Sequence, residues 1–229
     1  MKYGHYSDND LKTFEEYPFR CPSWNPMPDG KKNVVILGCS HTWGVGLESN
    51  ETWAHHISQH NTKLLRYWNL GQPGASAEAC VRILHSCEKV LHPEIIIVMW
   101  PESSRRERLE RSSPRNIMGV DKRLKYEDYD TDISNFLKSV FFLEKYAEKN
   151  QCKTFHCFSN DYIDFRTQHD RPNLLENHTL RNCWPYFHTR ENRKLVPEPS
   201  KARDGLHYGI ENHKRFAELF LNSFSARLR

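Results

Sequence analysis

The chain is 229 residues long, room for one α/β domain with an added arm or lid. Only 38% of it is hydrophobic, below the ~45–50% of a usual soluble domain, and 33 Lys/Arg against 29 Asp/Glu leave a net charge of +4. No stretch approaches the roughly 18 apolar residues of a membrane span, and Met1-Lys2-Tyr3-Gly4-His5 lacks the apolar core of a signal peptide, so the expectation is a soluble, cytoplasmic protein.

Residues 1–31 have no hydrophobic period but carry Tyr3, Tyr6, Phe14, Tyr17, Phe19 and Trp24 between Pro18, Pro22, Pro26 and Pro28. Too aromatic for a disordered tail, this stretch is expected to be an arm lying across the domain or on a protein partner. Residues 32–229 form the domain. Val34-Val35-Ile36-Leu37 is a β-rich apolar run suited to a strand buried on both faces, and Gly38 ends it. A bend at Gly38 leaves Ser40 at the carboxyl end of the strand, where open α/β sheets hold their ligands. A helix is predicted over residues 51–59 and a second strand over 64–70, ending at Gly71. Ser76 is placed to cap a helix whose apolar stripe is Ala77, Cys80, Val81, Leu84, Cys87 and Leu91.

Glu94-Ile95-Ile96-Ile97-Val98-Met99-Trp100 is apolar after its first residue and reads as the central strand. An insertion over residues 102–130 follows. Its part from Glu102 to Lys125 holds eight Lys/Arg against four acids, whereas Tyr126 to Asp132 holds four acids and no base. Two solvated halves that attract one another is the expectation, ahead of a basic rim for an acidic partner. A helix over about 131–149 places Ile133, Phe136, Leu137, Val140, Phe141 and Ala147 on one face. Lys153 to Phe158 is a fourth strand, a short fifth falls near Trp184 to His188, and the last helix starts at Ile210. The alternation specifies a three-layer α/β/α architecture with four or five parallel strands.

Two ends of the chain complete one site. Asp204-Gly205-Leu206-His207 puts a carboxylate and an imidazole on one tight turn, able to serve Ser40 as orienter and general base. With these residues in hand, the chain resembles the SGNH (GDSL-type) hydrolases. Gly38-Cys39-Ser40-His41-Thr42 stands where that family has Gly-Asp-Ser-x-[Ser/Thr], and Asp204-x-x-His207 where it has Asp-x-x-His. Asn69-Leu70-Gly71-Gln72-Pro73-Gly74-Ala75-Ser76 resembles its second block. The resemblance implies a flavodoxin-like strand order 2-1-3-4-5, a Ser40-His207-Asp204 triad, and an oxyanion hole from the amides of Ser40 and Gly71.

The third block departs from the family. Met99-Trp100-Pro101-Glu102-Ser103-Ser104 has no counterpart of the Asn in Gly-x-Asn-Asp, so the Trp100 indole and the Ser103 hydroxyl are the further candidate donors. This divergence resembles variants among bacteriophage and bacterial members. Cys39 replaces the first-block Asp, and next to Gly38 its thiol should point away from Ser40. The implied activity is a serine esterase that removes a small acyl group, such as acetyl, from a carbohydrate or other polar ester. The alternative is a catalytically degenerate SGNH fold that binds a ligand or partner.

Seven cysteines without framework spacing read as reduced, mostly buried thiols. Neither His156-Cys157 nor Cys183 with His188 has metal-ligand spacing, so neither metal nor cofactor is expected. Arg105 to Arg123 come without a base-stacking motif, so nucleic acid is not an expected partner.

Overall fold

A computed structural model of the chain describes residues 19–21, 29–110, 113–117, 129–158, 179–180 and 200–228. Its framework is a sheet of five parallel strands: β1 (Lys32–Gly38), β2 (Leu65–Asn69), β3 (Ile95–Trp100), β6 (Lys153–Phe158) and the two-residue β7 (Thr179–Leu180). The strand order is β2-β1-β3-β6-β7. Counted within the sheet this is 2-1-3-4-5, the expected order. The fifth strand precedes the stretch Trp184 to His188, which lies outside the described residues.

Period-two alternation along these strands builds two cores. Val35, Leu37, Trp68, Ile96, Val98 and Trp100 face α3 (Ala77–Leu91) and α4 (Tyr129–Asn150). Val34, Ile36, Tyr67, Ile95, Ile97 and Met99 face α2 (Trp53–Ser58) and α5 (Ile210–Phe224). All six residues of β3 are buried, as a central strand covered on both faces requires. Helices on both sides make the molecule a three-layer α/β/α structure.

Local chemistry sets the helix ends. Ser76 accepts the Ala79 N–H at 3.2 Å and Thr52 the His55 N–H at 3.2 Å, each satisfying an amide that the first helical turn leaves open. α3 ends with His92 in the left-handed conformation ahead of Pro93. On α4 one expectation fails: Phe141 is exposed and Leu143 takes the core position. The buried set Phe136, Val140, Leu143 and Ala147 keeps the 3.6-residue period, and Phe141 sits about 100° away from Val140.

The charged segment after β3 is a hairpin of β4 (Arg106–Glu110) and antiparallel β5 (Ser113–Ile117). It is held by ion pairs. Arg82 on α3 grips Glu107 through Nε and Nη2 at 2.7–3.0 Å, and Arg106 reaches Asp132 on α4. The basic half thus meets an acid of the acidic half, as the charge pattern suggested. Of the N-terminal arm, Phe19 and Cys21 pack against the α3/α4 core, and Arg20 lies over the Trp43 ring with Nη1 donating to the Leu47 carbonyl at 2.6 Å. Among the described residues no helix is long and apolar enough to cross a membrane.

Candidate active site

The site begins where β1 stops. Gly38 has φ 154°, and a Cβ there would come within 2.8 Å of the Met99 carbonyl oxygen, so only glycine lets the chain leave the sheet at this point. Cys39 then turns its side chain into the core shared with α3, 1% exposed, away from the site as its place next to Gly38 predicts. Ser40 opens the four-residue helix α1 (Ser40–Trp43) and is 7% exposed. As the first residue of a helix it has an amide with no intrahelical acceptor.

The turn 200–209 carries the base and its carboxylate. It is closed by the Lys201–Tyr208 bridge, with Ala202 N–H donating to the His207 carbonyl and Gly209 N–H to that of Ser200. Asp204 Oδ1 accepts the amides of Leu206 and His207, each at 3.0 Å, while Oδ2 lies 2.5 Å from His207 Nδ1. The His207 ring, then its amide and that of Leu206, hold the Asp204 carboxyl down to about 2. Nδ1–H therefore donates to a carboxylate, and Nε2 of His207 has no hydrogen-bond partner among the described residues.

This turn is docked onto the segment that follows Ser40. Arg203 N–H donates to the Gly46 carbonyl at 3.1 Å, and its guanidinium binds Glu51 through two bonds of 2.6 and 2.7 Å. The contact nearest the nucleophile is made by His41. Its ring stacks on Tyr208 at 4.9 Å between centroids and meets His207 edge-on at 5.5 Å. Burial, then the charges of His207 and Arg105, push the His41 imidazole down to about 3, so it is neutral near pH 7. The fold thus brings Asp204 and His207 against the residue next to Ser40. No hydrogen bond between Ser40 Oγ and His207 Nε2 is present among the described residues.

Two of the expected donors are otherwise engaged. Gly71 does make the close approach foreseen for it, since a Cβ there would lie 2.6 Å from the Trp43 amide nitrogen. Its own N–H, however, donates to Asn69 Oδ1 at 3.0 Å, and Asn69 Nδ2 donates to the Thr42 carbonyl at 3.0 Å. The Asn69 side chain ties the second block to the Ser40 turn and takes the amide expected for the oxyanion. Trp100 is wholly buried, and its indole N–H donates to His156 Nδ1 at 2.9 Å within the α3/α4 layer. Ser103 is half-buried in the turn after β3. Gly74, half-exposed three residues beyond Gly71, has an amide with no partner among the described residues.

Comparison with solved structures fixes what this architecture is. The esterase EstA from Pseudoalteromonas sp., inhibited by monoethylphosphonate, superposes with a TM-score of 0.55 at 12% identity, over 86% of this chain and 99% of its own. A GDSL-like lipase from Bacteroides thetaiotaomicron gives 0.51 at 13%, over 96% and 100%. The acetyl xylan esterase AlAXEase gives 0.53 at 13%, over 84% and 99%. The chain has an SGNH-type hydrolase fold. No family model and no curated protein sequence matches it.

Within that fold, the sequence singles out Ser40, His207 and Asp204, and gives His41 no role. The signal for His41 was Tyr208, an aromatic beside the expected base. Arg105 was hidden in a charge run.

Proposed function

We propose that the protein is a serine ester hydrolase that removes a small acyl group, acetyl foremost, from a carbohydrate or another polar ester. The observation that carries this reading is the Asp204–His207 pair, oriented through Nδ1, with Nε2 unengaged among the described residues and the ring packed against the neighbour of Ser40. Ser40 Oγ attacks the acyl carbonyl while His207 Nε2 takes its proton. The imidazolium then protonates the departing alcohol, and a water activated by the same nitrogen releases the acid. Asp204 keeps Nδ1 protonated and steadies the imidazolium. The amides of Ser40 and Gly74 are the donors that could meet the oxyanion, in place of Gly71; each such donor typically contributes about 10²- to 10³-fold in kcat.

The polar surface of the chain supports a hydrophilic substrate. So do an acetyl xylan esterase and an esterase active on acetylated mannans among the similar folds. A fluorophosphonate probe is expected to label Ser40 and nothing in Ser40→Ala; an unlabelled folded protein across the pH range would overturn the assignment.

A second reading has its own observation. Gly71 and Trp100 both have their donors engaged inside the protein, as suits an SGNH fold kept for binding. Hydrolysis of p-nitrophenyl acetate separates the two: equal rates for the native chain, Ser40→Ala and His207→Ala would favour the binding protein.

A further inference from the structure

The arginines at this end of the molecule differ in what answers their charge. Arg203 binds Glu51 with two short bonds, Arg82 grips Glu107, Arg106 reaches Asp132, and Arg20 donates to the Leu47 carbonyl. Arg105 has no such partner among the described residues. Its side chain is only 10% exposed, and its buried Nε makes no hydrogen bond. The one carboxylate paired with it among the described residues, Glu102, stands 3.5 Å from Nε without hydrogen-bond geometry, and that side chain is 40% exposed. A guanidinium taken this far from water normally finds a close acceptor, because burial without one is costly.

Position gives this partly answered cation a meaning. β1 and β3 run side by side with Gly38 opposite Met99, so the turn after Trp100 leaves the sheet beside the turn that presents Ser40. The Arg105 amide closes that turn on the Glu102 carbonyl at 3.1 Å. His41 and Tyr208, stacked on one another beside His207, form the neighbouring wall. The charge of Arg105 is among the causes that keep His41 neutral, and that of Glu102, after burial, helps raise Tyr208 to about 12. Both members of the Glu102–Arg105 turn therefore border the site.

We propose that Arg105 is an anion-binding residue at the rim of the Ser40 site, and that the ester taken there bears a carboxylate or phosphate close to the scissile acyl group. A guanidinium meets either group with two parallel donors, and Glu102 is the competitor that the incoming anion displaces. The substrate class rests on the hydrolase reading above, whereas the anion site stands on Arg105 alone, so the two are tested separately.

Binding of phenyl phosphate, followed by titration calorimetry, needs no turnover. The native protein is expected to bind it, Arg105→Gln to bind it about 10- to 100-fold more weakly, and Glu102→Gln to bind it more tightly. Equal binding in all three, or none in a folded native protein, overturns the site. Should Arg105→Gln fail to fold, Arg105→Lys and Glu102→Gln carry the comparison: weaker and tighter binding respectively support the site, and unchanged binding in both removes it. The kinetic arm compares 4-nitrophenyl succinate, with one free carboxylate, against neutral p-nitrophenyl acetate. The ratio of their kcat/KM values should fall about 10- to 100-fold in Arg105→Gln. An equal loss on both esters would make Arg105 an oxyanion stabiliser instead and overturn the substrate class. If neither ester is turned over, the hydrolase reading fails while the calorimetry still decides the anion site.

Discussion

Two histidines in this fold lie against carboxylates at nearly the same distance, yet the surroundings give them opposite uses. His207 meets Asp204 at 2.5 Å in a turn where both side chains are 26% exposed, and its other nitrogen is unengaged among the described residues. His156 meets Glu144 at 2.6 Å with its side chain 1% exposed, and its other nitrogen accepts the Trp100 indole N–H. In the second pair both ring nitrogens are committed, so the imidazole is a strut between β3, β6 and α4 and has no lone pair left for a substrate. In the first pair the carboxylate orients the ring and leaves Nε2 unengaged among the described residues, as the proposed general base requires. A His–carboxylate contact is thus evidence of a base only when the far nitrogen is unengaged and reaches a site.

The largest separation of the two pairs should come from alanine at each histidine. His207→Ala is expected to lower kcat on p-nitrophenyl acetate by about 10²- to 10⁴-fold with little change in the thermal midpoint, since the ring lies in a surface turn. His156→Ala should do the reverse. It opens a buried cavity and takes the acceptor from a buried N–H, at about 2–5 kcal/mol, seen as a midpoint lower by roughly 2–4 °C per kcal/mol. Activity per folded molecule should be retained. A His207→Ala protein as active as the native chain would end the distinction.

The same contrast explains what could be read in the sequence. β1 and β3 were legible because each is an apolar run ended by a turn, and the Ser40 and Asp204–His207 motifs because each is a short local pattern. The hairpin of β4 and β5 was not legible: Arg-Glu-Arg-Leu-Glu and Ser-Pro-Arg-Asn-Ile carry no apolar alternation, and its anchors, Arg82 and Asp132, belong to helices on either side in sequence. Donor availability was out of reach for a related reason. That Gly71 gives its amide to Asn69 and Trp100 its indole to His156 depends on three-dimensional partners at separations of 2 and 56 residues, which no motif records.

A third imidazole, this one buried, sharpens the comparison through pH. His213, 1% exposed, accepts the Trp53 amide N–H through Nδ1 at 3.0 Å, and burial, then electrostatic repulsion from His41, His56, His207 and Arg20, push it down to about 3. The unfolded chain, with an ordinary value near ~6.5, binds more protons between those limits. Stability should therefore fall as the pH drops from about 6.5 towards 3, by up to about 1.4 kcal/mol per pH unit for this group, and be unaffected by it above that window. His41, which burial also pushes down to about 3, acts in the same direction. Denaturant midpoints measured from pH 7 to 4 are expected to fall less steeply in His213→Gln, which keeps an acceptor; an unchanged slope would assign the acid sensitivity to other groups.

The smallest expected effect has the sharpest reading. Trp100→Phe keeps an aromatic ring among Phe136 and the strand neighbours and deletes the indole N–H that His156 accepts, with a small part of the buried ring volume. One buried hydrogen bond is worth about 0.5–1.5 kcal/mol net, so the midpoint should drop by a few degrees and kcat should hold. Were Trp100 an oxyanion donor, the same substitution would cost about 10²- to 10³-fold in kcat at almost no cost in stability. Melting and turnover of this one variant therefore place the indole on one side of the comparison: a strut if only the midpoint moves, a missed catalytic donor if only the rate does.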